Sequence, residues 1–337
     1  MKNPISKKVS VIIPTFERCS SVKRILNALS TQTFPSDDYE VIVSIDGSED
    51  GTVEMVKEFS STYKLCYIWE PNSGRAFACN RGVRKAEGEI MIILDDDMEP
   101  SAELVEAHYT AHQKSNILGV IGAAPIAIGQ SLALSTYYMA ERFNSHLKRI
   151  SEPGYEIRIW DFYSGNFSIR KDFLQELGGF SESFKIYGYE DVELAYRLIK
   201  SGGSIVYNSA ALCTQYYERD FSNLGKKIID SGKTAVLLVT LHPETFDELQ
   251  FREYNHAGWK WRSLRLFLIW LSILIPMTTD AITFLINLFE KSNPKIHKKL
   301  YFLAMDYFFW LGVWSAIRSD KDNKHLISKI RSYKNPE

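Results

Sequence analysis

Three adjacent aspartates, Asp95, Asp96 and Asp97, follow directly on the apolar run Ile90–Leu94. Neighbouring carboxylates repel one another at neutral pH, and unless water solvates them they call for a cation. Hard ions such as Mg²⁺ and Mn²⁺ prefer oxygen ligands, and Mg²⁺ commonly takes one or two carboxylates plus the phosphates of a substrate. A strand pleat continued through the triplet would send Asp95 and Asp97 to one side and Asp96 to the other. An acidic loop without a metal is the competing reading. A second acidic pair, Glu190 and Asp191, opens a stretch of helical spacing that runs to about Lys200. Acids at that end suit the helix dipole. His108 and His112 lie four apart on an expected helix, but no Glu follows His108. The zinc-protease pattern therefore fails, and ordinary surface histidines are expected. The four cysteines, Cys19, Cys66, Cys79 and Cys213, form no CxxC pair, so neither a zinc ribbon nor a redox motif is present. The chain has no GxGxxG, Walker A or GxSxG motif. That argues against a dinucleotide dehydrogenase, a P-loop nucleotidase and an elbow esterase.

These side chains need a scaffold that brings distant segments together. Val9–Ile13, Glu40–Ile45, Leu65–Ile68 and Ile90–Leu94 read as strands, and Ser20–Gln32, Thr52–Phe59 and Arg75–Ala86 as the helices between them. The alternation implies βαβ units and a parallel sheet covered on both faces. Ligands bind at the carboxyl edge of such sheets. Pro14–Glu17, Asp46–Ser48 and Asp95–Asp97 are therefore expected in one site. Further on, Ile117–Ala124, Phe162–Ile169 and Ser204–Tyr207 read as strands and Leu132–Arg149 as a helix. After Asp220 the alternation stops and the pattern turns helical. An α/β domain over 1–220, with halves 1–97 and 98–220, and a helical extension over 221–337 are expected.

In this order and spacing, Ser10-Val11-Ile12-Ile13-Pro14-Thr15-Phe16, Asp46-Gly47-Ser48, Asn72-Ser73-Gly74 leading to Asn80-Arg81-Gly82, Gly88-Glu89 and Asp95-Asp96-Asp97 resemble the nucleotide half of family 2 glycosyltransferases. Ser164-Gly165-Asn166, Gly178-Gly179-Phe180 and Gly188-Tyr189-Glu190-Asp191 resemble its acceptor half. The resemblance runs from about Val9 to Tyr207. It implies a GT-A fold, a Rossmann-like α/β sandwich with a mostly parallel central sheet. It also implies inverting transfer from a nucleotide-diphosphate sugar, with Mn²⁺ or Mg²⁺. On that pattern Pro14, Thr15 and Glu17 line the nucleotide pocket, and Asp46 accepts a hydrogen bond from the base, typically uracil. Asp95 lies near the ribose with Asp96 beside it in the substrate site, and Asp97 ligates the metal. Asp191 is implied as the catalytic base, Glu190 as an acceptor contact or support, and Asn166 as a donor-sugar contact.

The chain departs from the pattern twice. Cys79 stands where the family often has Arg, and Arg75, one turn earlier on the same helical face, is expected to reach the diphosphate instead. No histidine lies between His146 and His242, where many members carry a metal ligand. Either Gln215 stands in, or Asp97 works with phosphates and water. Two alternatives stay open: a non-catalytic sugar-nucleotide-binding subunit and a sugar nucleotidyltransferase. The second opens with a glycine-rich, Arg-containing loop, and this chain has Pro14-Thr15-Phe16-Glu17 there.

Charge is unevenly placed. From Arg252 onward there are 14 Lys/Arg against 7 Asp/Glu, while the body before it is acidic. The acidic body argues against a nucleic-acid partner. Leu266–Thr279 is uncharged, Ala281–Phe289 and Tyr301–Ile317 are apolar, and Lys260, Arg262, Arg265, Lys291, Lys295, Lys298, Lys299 and Arg318 flank them. Basic flanks with Trp and Tyr suit anionic headgroups. The extension reads as an in-plane or shallow membrane hairpin, as one or two spans, or as a soluble helical subdomain or dimer interface. The expected partners are a nucleotide-sugar donor, a saccharide or lipid-linked acceptor, a membrane surface and, as a further option, a second copy in a homo-oligomer. Val9–Ile13 is too short for a signal-peptide core and the thiols are scattered. The catalytic part is therefore expected in the cytoplasm, at the inner face of the cell membrane.

Overall fold

Val9, Val11 and Ile13 pack on one face of their strand and Ile12 on the other, which places β1 (Val9–Thr15) in the middle of a two-sided core. The computed structural model describes residues 7–114, 117–129, 133–217, 221–249, 251, 258–292, 294–320 and 322–332. After β1 come α1 (Cys19–Leu29), β2 (Tyr39–Asp46), α2 (Thr52–Glu58), β3 (Lys64–Glu70), α3 (Arg75–Lys85), β4 (Ile90–Leu94), β5 (Met98–Pro100) and α4 (Leu104–Ala111). They are followed by β6 (Ile117–Ala123), α5 (Leu134–Ile150), β7 (Asn166–Arg170), α6 (Lys171–Glu176), α7 (Glu190–Lys200) and β8 (Ser204–Gln215). The strands form one sheet in the order β3-β2-β1-β4-β7-β6-β8-β5.

The first four strands of that order are parallel. β7 runs antiparallel to both β4 and β6, β6 and β8 are parallel, and β5 is antiparallel to β8. The parallel pattern expected from the first half thus holds there, and the second half is mixed. One face is covered by Val22, Ile25 and Leu26 of α1, Val56 of α2 and Leu104 of α4. The other is covered by Ala76, Cys79 and Val83 of α3, Leu174 of α6 and Leu194 and Leu198 of α7. Gly82 lets α3 settle on β1, since a Cβ there would sit 2.3 Å from Ile12 Cγ2.

Three boundaries differ from the sequence reading. β7 begins at Asn166, because Ile159–Asp161 is a 3-10 turn anchored by Asp161, which accepts from the Arg158 N–H at 3.0 Å. β8 does not stop at Tyr207. It bulges after Asn208, which pairs with Gly122, and resumes at Leu212, which pairs with Ala123. β5 is a three-residue strand hidden in an acidic stretch, paired to the end of β8.

The chain divides into two compact units. The first comprises Met1–Ala127, Ala140–Lys185 and Glu190–Tyr217, and the second Ile128–Met139, Ile186–Tyr189 and Glu218–Glu337. The two short segments join the second unit through their own contacts. Tyr138 packs its ring against His297 and Tyr301, and a Cβ at Gly188 would lie 2.8 Å from Ser231 Oγ. A linear division at 220 did not foresee them. The second unit also holds α8 (Phe221–Leu241), α9 (Trp259–Leu274), α10 (Thr278–Ser292), α11 (Pro294–Ser319) and α12 (His325–Ser332). Gly232 and Gly312 let α8 and α11 meet backbone to backbone, where a Cβ at Gly312 would fall 2.0 Å from the Ile229 carbonyl oxygen. Among the described residues one helix, Lys295–Ser319, is long and apolar enough to cross a membrane, and 56% of its apolar window is buried inside the protein.

Candidate active site

The sheet opens where the chemistry was expected. β1 pairs with β4 only from Val9 to Ile12, while its pairing with β2 continues to Thr15. The two strands part beyond Ile12 at their carboxyl ends, the edge where such folds bind ligands. Pro14 lies past the last β1–β4 pair, so its missing N–H costs that ladder nothing. Thr15 spans the gap: its hydroxyl donates to Asp96 Oδ2 at 2.8 Å. Glu17 sits at φ +54, a left-handed conformation unusual for its type. Its N–H donates to Ser48 Oγ at 2.9 Å, and its carboxylate accepts from the Glu49 N–H at 2.8 Å. These bonds hold the strained residue and tie the loop after β1 to the loop after β2.

Asp46 is more enclosed than the resemblance implies. Its carboxylate accepts from the Ser73 and Gly74 N–H groups at 3.0 and 2.8 Å and from Arg81 Nη2 at 2.6 Å, and it is 4% exposed. Here Asp46 builds the wall formed by the Asn72–Gly74 loop and is not an open acceptor for a base. Gly47, at φ +81, leaves room for that loop, because a Cβ would lie 2.6 Å from Asn72 N. Arg81, which also pairs with Glu70 at 3.2 Å, was quoted as part of a motif but not foreseen as the partner of Asp46.

The three aspartates do not lie on a pleat. β4 ends at Leu94, and Asp95–Met98 is a tight turn in which the Met98 N–H donates to the Asp95 carbonyl at 3.2 Å. The alternation expected for the triplet is therefore corrected: each carboxylate has a separate environment. Asp95 takes Arg75 Nη2 at 2.7 Å and Nε at 3.1 Å. Asp96 is half-buried, and its burial beside Asp97 pushes its pKa up to about 7, against the pull of the Thr15 hydroxyl. Asp97 is buried and accepts from Gln215 Nε2 at 3.1 Å. The continuation of β8 past its bulge delivers Gln215 there, opposite Met98.

Arg75 joins the two acidic motifs. Besides gripping Asp95, its Nη1 donates to Ser164 Oγ at 2.9 Å and lies 3.7 Å from Glu190 Oε1. Arg75 is the cation between Asp95 and Glu190 in this structure. Its guanidinium stands 5.9 Å from the Phe180 ring. That ring is fixed by Asn80, whose amide donates to the Phe180 carbonyl and accepts from the Phe180 N–H, both at 2.9 Å. Cys79 is buried, and burial raises its thiol to about 12, so it is no nucleophile. Asp191 is half-buried in the first turn of α7. Loss of water and the adjacent Glu190 raise its pKa to about 7, while Arg75 and the Val192 N–H pull the other way.

Asn166 is not available to a sugar. It is fully buried: its Nδ2 donates to the carbonyls of Ala123 and Ala211 at 2.9 and 2.8 Å, and its Oδ1 meets His108 Nε2 at 2.9 Å. It pins the β8 bulge. His108 and His112 are likewise no surface residues. Both are 0% exposed and linked through Ser168 Oγ at 2.8 Å on each side, and burial lowers both to about 4, so they are neutral. No sequence signal separates a buried histidine chain from a helix surface pair.

The donor set suits a hard divalent ion. Carboxylates outnumber cations, and two of them are pushed towards protonation, first by burial and then by the neighbouring carboxylate. Among the described residues no three acidic, His or Cys side chains converge as a metal cluster. An ion here would need Asp97, the Gln215 amide and substrate oxygens together, as Mg²⁺-type sites with few protein ligands do.

A model described as glycosyl transferase family 2 matches residues 10–178, and one described as the N-terminal domain of galactosyltransferase matches 145–219. YfnE of Bacillus subtilis, named an uncharacterized glycosyltransferase, is 29% identical over 243 residues, covering 58% of this chain and 61% of YfnE. The chain thus spans about three-fifths of that relative's length. Two solved structures share the fold. The mannosyltransferase PcManGT from Pyrobaculum calidifontis, in complex with GDP-Man and Mn²⁺, has TM-score 0.52 and 18% identity and covers 97% of this chain and 84% of its own. S. aureus TarS 1-349, in complex with UDP-GlcNAc, has TM-score 0.53 and 15% identity and covers 90% of each chain.

Proposed function

The chain belongs to glycosyl transferase family 2, and from that premise we propose that it transfers a sugar, with inversion, from a nucleotide-diphosphate donor to a saccharide or lipid-linked acceptor. A UDP-sugar is the first donor to try. The observation that carries the reading is Arg75. It bonds Asp95 at 2.7 Å and approaches Glu190 to 3.7 Å, so the donor-side acids and the Glu190-Asp191 pair stand in one site.

Asp191 takes the proton of the acceptor hydroxyl as that oxygen attacks the anomeric carbon and the bond to the diphosphate breaks. A positioned base of this kind contributes about 10²–10⁴-fold. Its raised pKa suits a base working near neutrality. Glu190 and Arg75 set the charge around it. Mn²⁺ or Mg²⁺ bound through Asp97 would supply positive charge to the departing diphosphate. Thr15, Glu17 and Asp46 shape the loops around the nucleotide. We place the reaction at the inner face of the cell membrane, and the second unit is the candidate for contact with the membrane or with another copy.

Proton NMR of the product tests the inversion. An α-linked donor should give a β-linked product, and an α-linked product would exclude Asp191 as a base acting opposite the leaving group.

A further inference from the structure

Helix α9 is inside out. Two of its three buried residues are polar: Arg265 is 0% exposed and donates to Asp306 at 2.9 Å, and Ser272 bonds the Tyr307 hydroxyl, while the third is Ile269. Its outward residues are apolar, with Phe267 at 54%, Trp270 at 55% and Leu274 at 58% exposed. Water rewards the opposite arrangement, because exposed apolar area costs about 25 cal/mol per Å². The neighbouring α10 repeats the pattern, with Phe284 at 67% exposed and Leu285 and Leu288 beside it. Contiguous exposed apolar surface of this kind marks a membrane or protein contact.

From the structure we infer that the outer faces of α9 and α10 lie in the plane of an anionic bilayer, sunk to the depth of the upper acyl chains. The charge pattern selects lipid as the occupant. At about 100° per residue, Trp259, Leu266, Phe267, Trp270 and Leu274 share one side of α9, and Lys260 and Arg262 edge it near its start. Exposed Lys295, Lys298 and Lys299 open α11, just after α10. A basic rim with tryptophan beside an uncharged face fits anionic headgroups over hydrocarbon. On α10 the exposed Asp280 and Asn287 fall together at the edge of the apolar sector, where headgroups reach them. With 16 residues at 1.5 Å each, α9 is about 24 Å long, less than the about 30 Å a span requires. The pair therefore rests in one leaflet. This surface gives the proposed location a structural basis and does not depend on the transfer chemistry.

Flotation of the full chain with vesicles of phosphatidylcholine, with and without 30 mol% phosphatidylglycerol, tests it (about 30 mol%, a charge density in the range of anionic leaflets). The chain should float with the anionic vesicles. The exposed pair Phe267→Glu/Leu274→Glu should weaken binding more than tenfold, and Lys295→Glu/Lys299→Glu should remove the preference for anionic lipid. Tryptophan fluorescence should be quenched most by lipids brominated near the top of the acyl chain, and the quenching should fall in Trp270→Phe and fall further in Trp259→Phe/Trp270→Phe. Failure to bind either vesicle, a stable dimer that shields Trp270 without lipid, or strongest quenching at the bilayer centre would each overturn the inference. Donor turnover, read separately, reports on the transferase chemistry alone.

Discussion

Asp191 titrates where its neighbours put it. Burial and the Glu190 charge disfavour its ionised form, and Arg75 favours it. Only the ionised carboxylate accepts a proton, so kcat/KM should climb with pH through about 7 instead of levelling near the ordinary carboxylate range. Glu190→Gln removes a raising charge, and the acid limb should move to lower pH. Arg75→Gln removes a lowering one, and the limb should move up. A pH–rate series on the three proteins reads both shifts, and a limb that stays in place in both variants would take Asp191 out of the base role. At this scale the sequence showed which carboxylates matter but not their partners. Arg75 was legible as a cation facing the site, yet its choice of Asp95 and Ser164 depends on β4 and β7 lying side by side. Asn166 looked polar and site-bound, and became structural because β8 bulges beside it and leaves carbonyls to be satisfied.

The elements show why some parts could be read and others not. β1, β2 and β4 announce themselves as β-branched runs because both their faces are buried. β8 was cut short because Asn208-Ser209-Ala210 reads as a turn, whereas it is a bulge between two paired stretches. Since Gln215 reaches Asp97 only through that continuation, the suggested substitute for the missing histidine had no visible route in the sequence. The turn beneath Arg75 carries its own prediction. Gly179 has φ +73, and a Cβ would lie 2.6 Å from Asn80 Oδ1, the atom that holds Phe180. Gly179→Val should therefore cost about 1–3 kcal/mol, from backbone strain and crowding together. Chemical denaturation measures this, and a change below about 0.5 kcal/mol would mean that the turn is pliant.

Over the whole molecule, the acidic body and basic end are visible in composition, but the two-unit division is not linear in sequence. Residues 128–139 and 186–189 join the helical unit although they lie within the stretch that reads as α/β. Within that unit Asp306 is bonded by Arg265 and by the Trp261 indole at 2.6 Å. Because Arg265 is fully buried, Asp306→Ala would take a carboxylate partner away from a buried guanidinium. The expected cost is about 3–5 kcal/mol, seen as faster amide exchange along α9 and α11. Unchanged protection would show that water reaches Arg265.

The most direct measurement pairs binding with turnover. Purified protein with Mn²⁺ is titrated with UDP-, GDP- and dTDP-sugars, and release of nucleoside diphosphate is followed for the wild type, Asp97→Ala and Asp191→Asn. One donor should bind and turn over in the wild type. Asp97→Ala should lose the metal-dependent part of both, and Asp191→Asn should bind that donor with little change yet transfer at least about 10²-fold more slowly. Absence of binding for every donor with metal present, or full transfer by Asp191→Asn, would contradict the assignment of this sheet edge as a glycosyl-transfer site with Asp191 as its base.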